Sequence, residues 1–160
     1  MICSPVFLSH ISFPIFMLYF LPPMLIEVAL IHLVINAVVL FLVTKFFSIS
    51  VPLQRAWRIL IGLWLIGLTA NMIGALVLTS IGALGVKLHI QLIDYYMIYS
   101  SPWNALIFVA TVAFSGLILY LMDYLYLRPY LTKKQALRMA FSFAVLTAPY
   151  PFLISAHLFY

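Results

Sequence analysis

Four apolar stretches organise the chain, at roughly 23 to 46, 57 to 86, 102 to 127 and 135 to 158, and most charged residues fall between or at the edges of them. Each stretch reaches the about 20 mostly apolar residues that carry a helix across a hydrocarbon core of about 30 Å. None of them alternates apolar with polar positions as a half-buried strand would. The pattern predicts an all-α integral membrane protein whose residues 23–160 form a four-helix transmembrane bundle. Residues 1–22 are an apolar N-terminal segment interrupted by Pro5 and Pro14. As a helix, Val6 to Leu21 would reach roughly 24 Å, short of the core, so an interfacial or re-entrant segment is expected rather than a fifth span. It lacks the basic start of a secretory signal.

Local punctuation agrees with these bounds. Pro22-Pro23 suits the first turn of helix 1, Ser101-Pro102 is an N-cap followed by an N1 proline, and Thr132 to Gln135 has the spacing of a capping box. Pro149 and Pro151 delete backbone donors within the last stretch, so helix 4 should kink or break there.

Composition narrows the chemistry. The chain is 67% hydrophobic and 7% charged, too few charges to coat a water-soluble domain. Its eight Lys and Arg are not gathered as a nucleic-acid patch but sit by the connections. Lys45, Arg55 and Arg58 flank the first, Lys87 the second, and Arg128, Lys133, Lys134 and Arg138 the third. The positive-inside bias therefore predicts cytoplasmic connections 47–56 and 128–134, with the N- and C-termini outside. Tyr120, Tyr124, Tyr126 and Tyr130 mark the inner boundary, and Tyr95, Tyr96, Tyr99 and Trp103 the outer one. The lone Cys3 has no partner for a disulfide or a metal pair.

Small residues predict where the helices pack. Ala136, Ala140, Ala144 and Ala148 form an i, i+4 ladder on helix 4, and Gly67, Ala70 and Gly74 a small face on helix 2. Close van der Waals packing drives association in lipid, so these two stripes are expected to meet within the chain, the alternative being contact with another subunit.

Counting 1.5 Å per residue places Glu27 roughly 6 Å from the outer face, His32 about 13 Å and Asn36 about 20 Å. Asn71, Thr111 and Thr147 come out at about 12 to 13 Å. A polar layer of His32, Asn71, Thr111 and Thr147 is expected beneath the proline break, with Tyr150 beside it; it either locks the register of the bundle through interhelical hydrogen bonds or serves as a ligand site. Glu27, Asn104, His89 and His157 form a candidate outer rim. Asp123, near the inner surface, is expected to anchor the interface with Arg128, Lys45 or Arg55.

Enzyme chemistry finds little support. The histidines His10, His32, His89 and His157 lack metal-ligand spacing, and no nucleophile elbow, phosphate loop or dinucleotide fingerprint occurs. Gly82-Ala83-Leu84-Gly85, Ile93-Asp94-Tyr95-Tyr96 and Pro102-Trp103-Asn104 resemble the outline of the lipoprotein signal peptidase pattern. That family's catalytic aspartate pair has no counterpart here, because Val-Lys-Leu-His follows Gly85 and Ala-Leu-Ile follows Asn104. Without two carboxylates to activate water the resemblance carries no activity.

The expected function is that of a non-catalytic subunit or accessory factor of a larger membrane complex, with lipid, other subunits or a second copy as partners and no nucleic acid. The alternative is a carrier or receptor for a small polar solute or ion, using an outward cavity around His32, Asn71 and the Pro149 break. No cofactor is named by the sequence.

Overall fold

A computed structural model of the chain describes residues 22–89, 92–95 and 97–154. The N-terminal segment 1–21, the expected end of helix 4 at 158 and His157 lie outside the described residues. The described elements are α1 (Pro22–Phe46), α2 (Leu53–Lys87), α3 (Pro102–Leu127) and α4 (Lys133–Leu146), followed by a 3₁₀ turn over Tyr150–Leu153. Four helical segments are long and apolar enough to cross a membrane, the last running from Lys133 to Leu153 through the break.

The ends of the helices follow local chemistry. The Ser101 hydroxyl accepts the Asn104 N–H at 3.1 Å ahead of Pro102. At the start of α4, the backbone N–H and hydroxyl of Thr132 both donate to Gln135 Oε1, at 3.2 and 2.8 Å. α2 starts at Leu53, four residues before the apolar run, because Pro52 fixes an extended entry and its carbonyl accepts from Arg55 and Ala56. The polar residues of that turn, Gln54, Arg55 and Arg58, are exposed, so they cost the helix nothing. At 35 residues α2 is about 52 Å long, well beyond the core thickness.

The α-helical part of α4 stops at Leu146 instead of continuing to 158. The Pro149 ring would strike the carbonyl of residue 145, and a proline disfavours helical backbone at the residue before it. The break expected from Pro149 and Pro151 is therefore present, and the chain continues as a 3₁₀ turn packed on α3.

Each helix packs on its sequence neighbours, and α4 closes the ring on α1. Two apolar clusters fill the interior. One, at the end that carries the α1–α2 and α3–α4 connections, holds Val39, Val43, Ile59, Leu63, Leu127, Met139 and Phe143. The other, at the opposite end, holds Ala75, Leu78, Ile93, Ile98, Phe108 and Phe152. Seven of the eight Lys and Arg lie by the first of these ends, here the basic end, and all eight are exposed. Three sit over aromatic rings: Lys45 over Phe41 at 5.9 Å, Arg128 over Tyr124 at 5.7 Å and Arg138 over Phe47 at 5.5 Å.

The small stripes do not meet as expected. The glycines of α2 face α1 and α3: a methyl group on Gly67 would meet His32 and Asn36, and one on Gly74 would meet Ser115 and Phe152. Neighbouring helices in a ring are closer than diagonal ones, so α2 spends its small residues on α1 and α3. On α4, Ala136 and Ala140 are buried in the core of the basic end, whereas Ala144 and Ala148 are only half-buried.

Aromatic donors tie the helices together. Trp64 Nε1 donates to the Ala29 carbonyl at 2.8 Å, joining α2 to α1. The Tyr126 hydroxyl donates to the Arg58 carbonyl at 2.7 Å, its ring lying where a side chain on Gly62 would be. Tyr126→Phe should therefore cost about 0.6 kcal/mol, the average for an intramembrane hydrogen bond. Gly62→Val, which must also displace the ring, should cost about 1–3 kcal/mol. Denaturant titration of the two variants in one detergent checks the order, and equal losses would contradict it.

Candidate functional site

Between the two apolar clusters lie six of the buried polar side chains, with Asn104 and Asp123 buried elsewhere. His32 and Asn36 come from α1, Asn71 from α2, Thr111 and Ser115 from α3, and Thr147 from the residue after α4. Gly67, without a side chain, makes room for the His32 ring. His32 Nε2 lies 3.1 Å from Asn71 Nδ2, and His32 Nδ1 lies 3.3 Å from Asn36 Nδ2. A neutral imidazole has one N–H and one lone pair, so of the two amide N–H groups that face the ring only one donates to it. The arrangement bridges α1 and α2 and fixes their register.

The other two members of the expected layer do not join it through hydrogen bonds. The hydroxyl of Thr111 donates to its own helix at the Ile107 carbonyl, 2.9 Å away, and that of Thr147 to the Phe143 carbonyl at 2.8 Å. Asn36, which depth counting set a full turn away from the layer, is instead a direct partner of the ring.

The Pro149 break offers few free acceptors to a ligand. The Tyr150 hydroxyl donates to the Val145 carbonyl, one of those the break releases. The Tyr99 hydroxyl, from the second connection, donates to the Leu153 carbonyl at 2.9 Å. Both tyrosines had read as boundary markers or site lining, and both seal the broken backbone.

The outer rim also resolves differently. Glu27 and His89 are exposed, and among the described residues neither bonds to Asn104. His89 takes a left-handed φ of 55° just past α2, where its N–H reaches the Val86 carbonyl. It is the turning residue of that helix end, a place more often given to glycine. Asn104 is 3% exposed and organises the second connection. Its Oδ1 accepts the Asp94 N–H at 3.0 Å, and its Nδ2 donates to the carbonyls of Asp94, Met97 and Ile98 at 2.8, 3.0 and 3.0 Å. Asp94 Oδ1 in turn accepts the Met97 N–H at 3.0 Å. Tyr95 hooks the same connection onto α2, donating to the Leu78 carbonyl at 3.1 Å across the bare surface of Gly82. Burial pushes the Tyr95 phenol above its ordinary value of 10.0, so it remains a donor through the neutral range and the stability this gives is lost only at more alkaline pH.

A broad concavity lies elsewhere, on the outer surface between α3 and α4. It measures about 660 Å³, and its walls include Ala113 and Gly116 from α3 and Ala144 and Ala148 from α4 and the segment beyond it. Tyr120 and Phe141 border it, with Tyr150 and Leu153 beyond the break. Gly116 has open space above it, the nearest atom to an added methyl being the Ala144 carbonyl oxygen at 3.9 Å. The alanine ladder is the sequence signal for this feature, its outer half, Ala144 and Ala148, lining the groove.

Asp123 is fully buried on α3 between Leu119 and Leu127, rather than at the surface beside a basic residue. Among the described residues no three His, Cys, Asp or Glu gather closely enough to hold a metal ion. No known protein family, no curated protein and no solved structure matches this chain.

Proposed function

We propose that this chain is a non-catalytic subunit or accessory factor of a larger membrane complex, and that the groove between α3 and α4 receives a transmembrane helix of its partner. One observation carries this reading: the groove is apolar, faces outward and is walled by Ala113, Gly116, Ala144 and Ala148, small residues the chain's own helices cover only in part. In lipid, burial of apolar surface gives no driving force, so small residues that admit a second backbone closely mark the faces that associate. Beyond the end of α4 at Leu146, Ala148, Tyr150 and Leu153 continue the wall of the same groove. The basic residues favour an orientation with connections 47–56 and 128–134 in the cytoplasm and the opposite end outside. The carrier reading gains less support, because His32, Asn36 and Asn71 are engaged with one another and the Val145 and Leu153 carbonyls are already taken.

Gly116→Leu combined with Ala144→Leu fills the groove without entering the core. The wild-type chain, extracted gently from its native membrane, should run on a native gel in a complex well above its own 18.2 kDa. The double variant should fall to the size of the lone chain at unchanged abundance and helicity. A wild-type chain that already runs alone, or a variant that stays in the complex, would refute the groove as the docking face.

A further inference from the structure

Among the described residues no cation pairs with Asp123. Its side chain is 0% exposed, and among the described residues neither carboxyl oxygen has a hydrogen-bond donor. All eight Lys and Arg side chains point outward at the helix ends. A second acceptor in the same condition is Asn36 Oδ1, on a residue 1% exposed.

Contacts between neighbouring helices set the level of both. Gly74 of α2 lies against Ser115 of α3. Asp123 is about 12 Å further along α3 toward the basic end, and Gly67 about 10 Å along α2 in the same direction. A methyl on Gly67 would lie 3.7 Å from Asn36 Nδ2. On α4, the same count from the Gly116–Ala144 approach arrives between Ala136 and Ala140. At one level of the bundle, then, the diagonal helices α1 and α3 each turn a polar side chain inward, while α2 and α4 contribute Gly67 and two alanines.

We propose that Asp123, with Asn36 at about the same level of the bundle, is an intramembrane site for a single proton, loaded from the basic end. Their uncommitted atoms are three oxygen acceptors without a donor, so what completes the set is small and positive. Hard metal ions take about six or more oxygen ligands, and the next buried oxygen on α3, Ser115 Oγ, is about two helical turns away. A proton needs one oxygen to bond and one to accept. In loading, a hydronium ion gives its proton to an Asp123 oxygen and leaves as water, and the new O–H group is then a donor for acceptors at that level. The basic end is the nearer one: α3 ends at Leu127, about one turn beyond Asp123, and Leu127 is buried between the carboxyl and that end.

Few other titratable groups face this level. α1 offers His32, one turn from Asn36, and the buried faces of α2 and α4 offer none. Tyr120, Tyr124 and Tyr126 of α3 flank the carboxyl half-buried, and the nearer cations, Lys45, Arg58, Arg128 and Arg138, are all exposed. The site is separate from the α3–α4 groove and does not depend on its partner.

Dicyclohexylcarbodiimide tests the site, because this apolar reagent adds a protonated carboxyl across its C=N bond, the proton passing to nitrogen. In the folded chain, peptide mapping should find the adduct on Asp123 in preference to Glu27 and Asp94, decreasing as pH rises and unaffected by Na⁺. Asp123→Asn should abolish it. Asn36→Leu, by removing an acceptor for the new O–H, should move the midpoint of labelling to lower pH. The wild-type pH series needs no variant to fold. Labelling confined to Glu27 and Asp94 would overturn the proposal, and labelling blocked by Na⁺ at constant pH would overturn the proton as the occupant.

Discussion

Replacing Gly67 by alanine should destabilise the bundle, whereas the same replacement at Gly116 should leave it unchanged or slightly firmer. Both glycines are in helices, where alanine gains about 1 kcal/mol over glycine from backbone entropy. At Gly116 the nearest atom to the new methyl group is 3.9 Å away, so nothing opposes that gain. At Gly67 the methyl group would fall 2.7 Å from His32 Cε1 and 3.3 Å from Nδ1. The ring cannot retreat freely, since its two nitrogens are engaged with Asn71 and Asn36 on opposite sides. Each intramembrane hydrogen bond lost costs about 0.6 kcal/mol and at most about 1.7, and overpacking adds about 1–3 kcal/mol. The losses exceed the propensity gain, giving a net cost of about 1–2 kcal/mol for Gly67→Ala and about 3 kcal/mol or more for Gly67→Leu. Unfolding titrations of the two alanine variants side by side check the sign. If they shifted stability equally, Gly67 would have no packing role at the polar level.

The same pair of residues shows what the sequence could and could not reveal. Apolar run length and proline placement were enough for four helices, the break near Pro149 and the capped starts at Ser101 and Thr132, because these are local effects of backbone chemistry. Depth counting brought His32 and Asn71 to one level, where the structure joins them at 3.1 Å. It could not tell that Thr111 and Thr147 would bond to their own helices, since a threonine hydroxyl reaches the carbonyl four residues back as easily as a neighbouring helix. Nor could it tell which small residues face which helix. That depends on the order of helices around the ring, which leaves Gly67 opposite His32 and Ala144 opposite Gly116.

Asp123 eluded the same procedure for a related reason. A carboxyl one turn from the end of an apolar run reads as interfacial when each helix is considered alone. α1 and α2 run further at the basic end than α3 does: Asn36, level with Asp123, is ten residues from the end of α1 at Phe46. The neighbouring helices therefore enclose the end of α3, and a position that would be wet in an isolated span is dry in the bundle.

The tyrosines show a further limit. Aromatic side chains at membrane boundaries are expected whatever the fold. In this bundle the hydroxyls of Tyr95, Tyr99, Tyr126 and Tyr150 all donate to backbone carbonyls, at Leu78, Leu153, Arg58 and Val145. Interior carbonyls of a helix are already paired, so the donors gathered by Leu153 and Val145, at and beyond the break, matter most. Gly62 and Gly82 are small because a tyrosine from another element occupies their space. That relation is invisible until the register between elements is known.

Asn104→Leu should give the largest loss outside the helix-packing sites, about 2–4 kcal/mol, concentrated in the second connection. Leucine matches the size of asparagine and can bury, so the helix itself is not at issue. What disappears is the set of bonds from one carboxamide to the Asp94 N–H and to the carbonyls of Asp94, Met97 and Ile98. A buried backbone group left without a partner costs about 1–3 kcal/mol. Met97 is exposed and water can replace its lost bond, but Ile98 is 2% exposed and sits in the apolar cluster with Phe108 and Phe152. The Ile98 carbonyl and the Asp94 N–H therefore set the lower bound. Asn104→Asp separates the two halves of the interaction: it can still accept from the Asp94 N–H but offers no N–H to the three carbonyls, and its charge faces them. It should be at least as damaging as leucine, although it is the closer match in shape. Protease cleavage between residues 92 and 100 and hydrogen exchange at the Asp94 amide should both accelerate in either variant, while Ser101→Ala, which removes only the cap of α3, should cost about 1 kcal/mol. If Asn104→Asp were as stable and as resistant to cleavage as the wild type, the carboxamide donors would not hold this connection, and its order would have to come from Ile93 and Ile98 in the core.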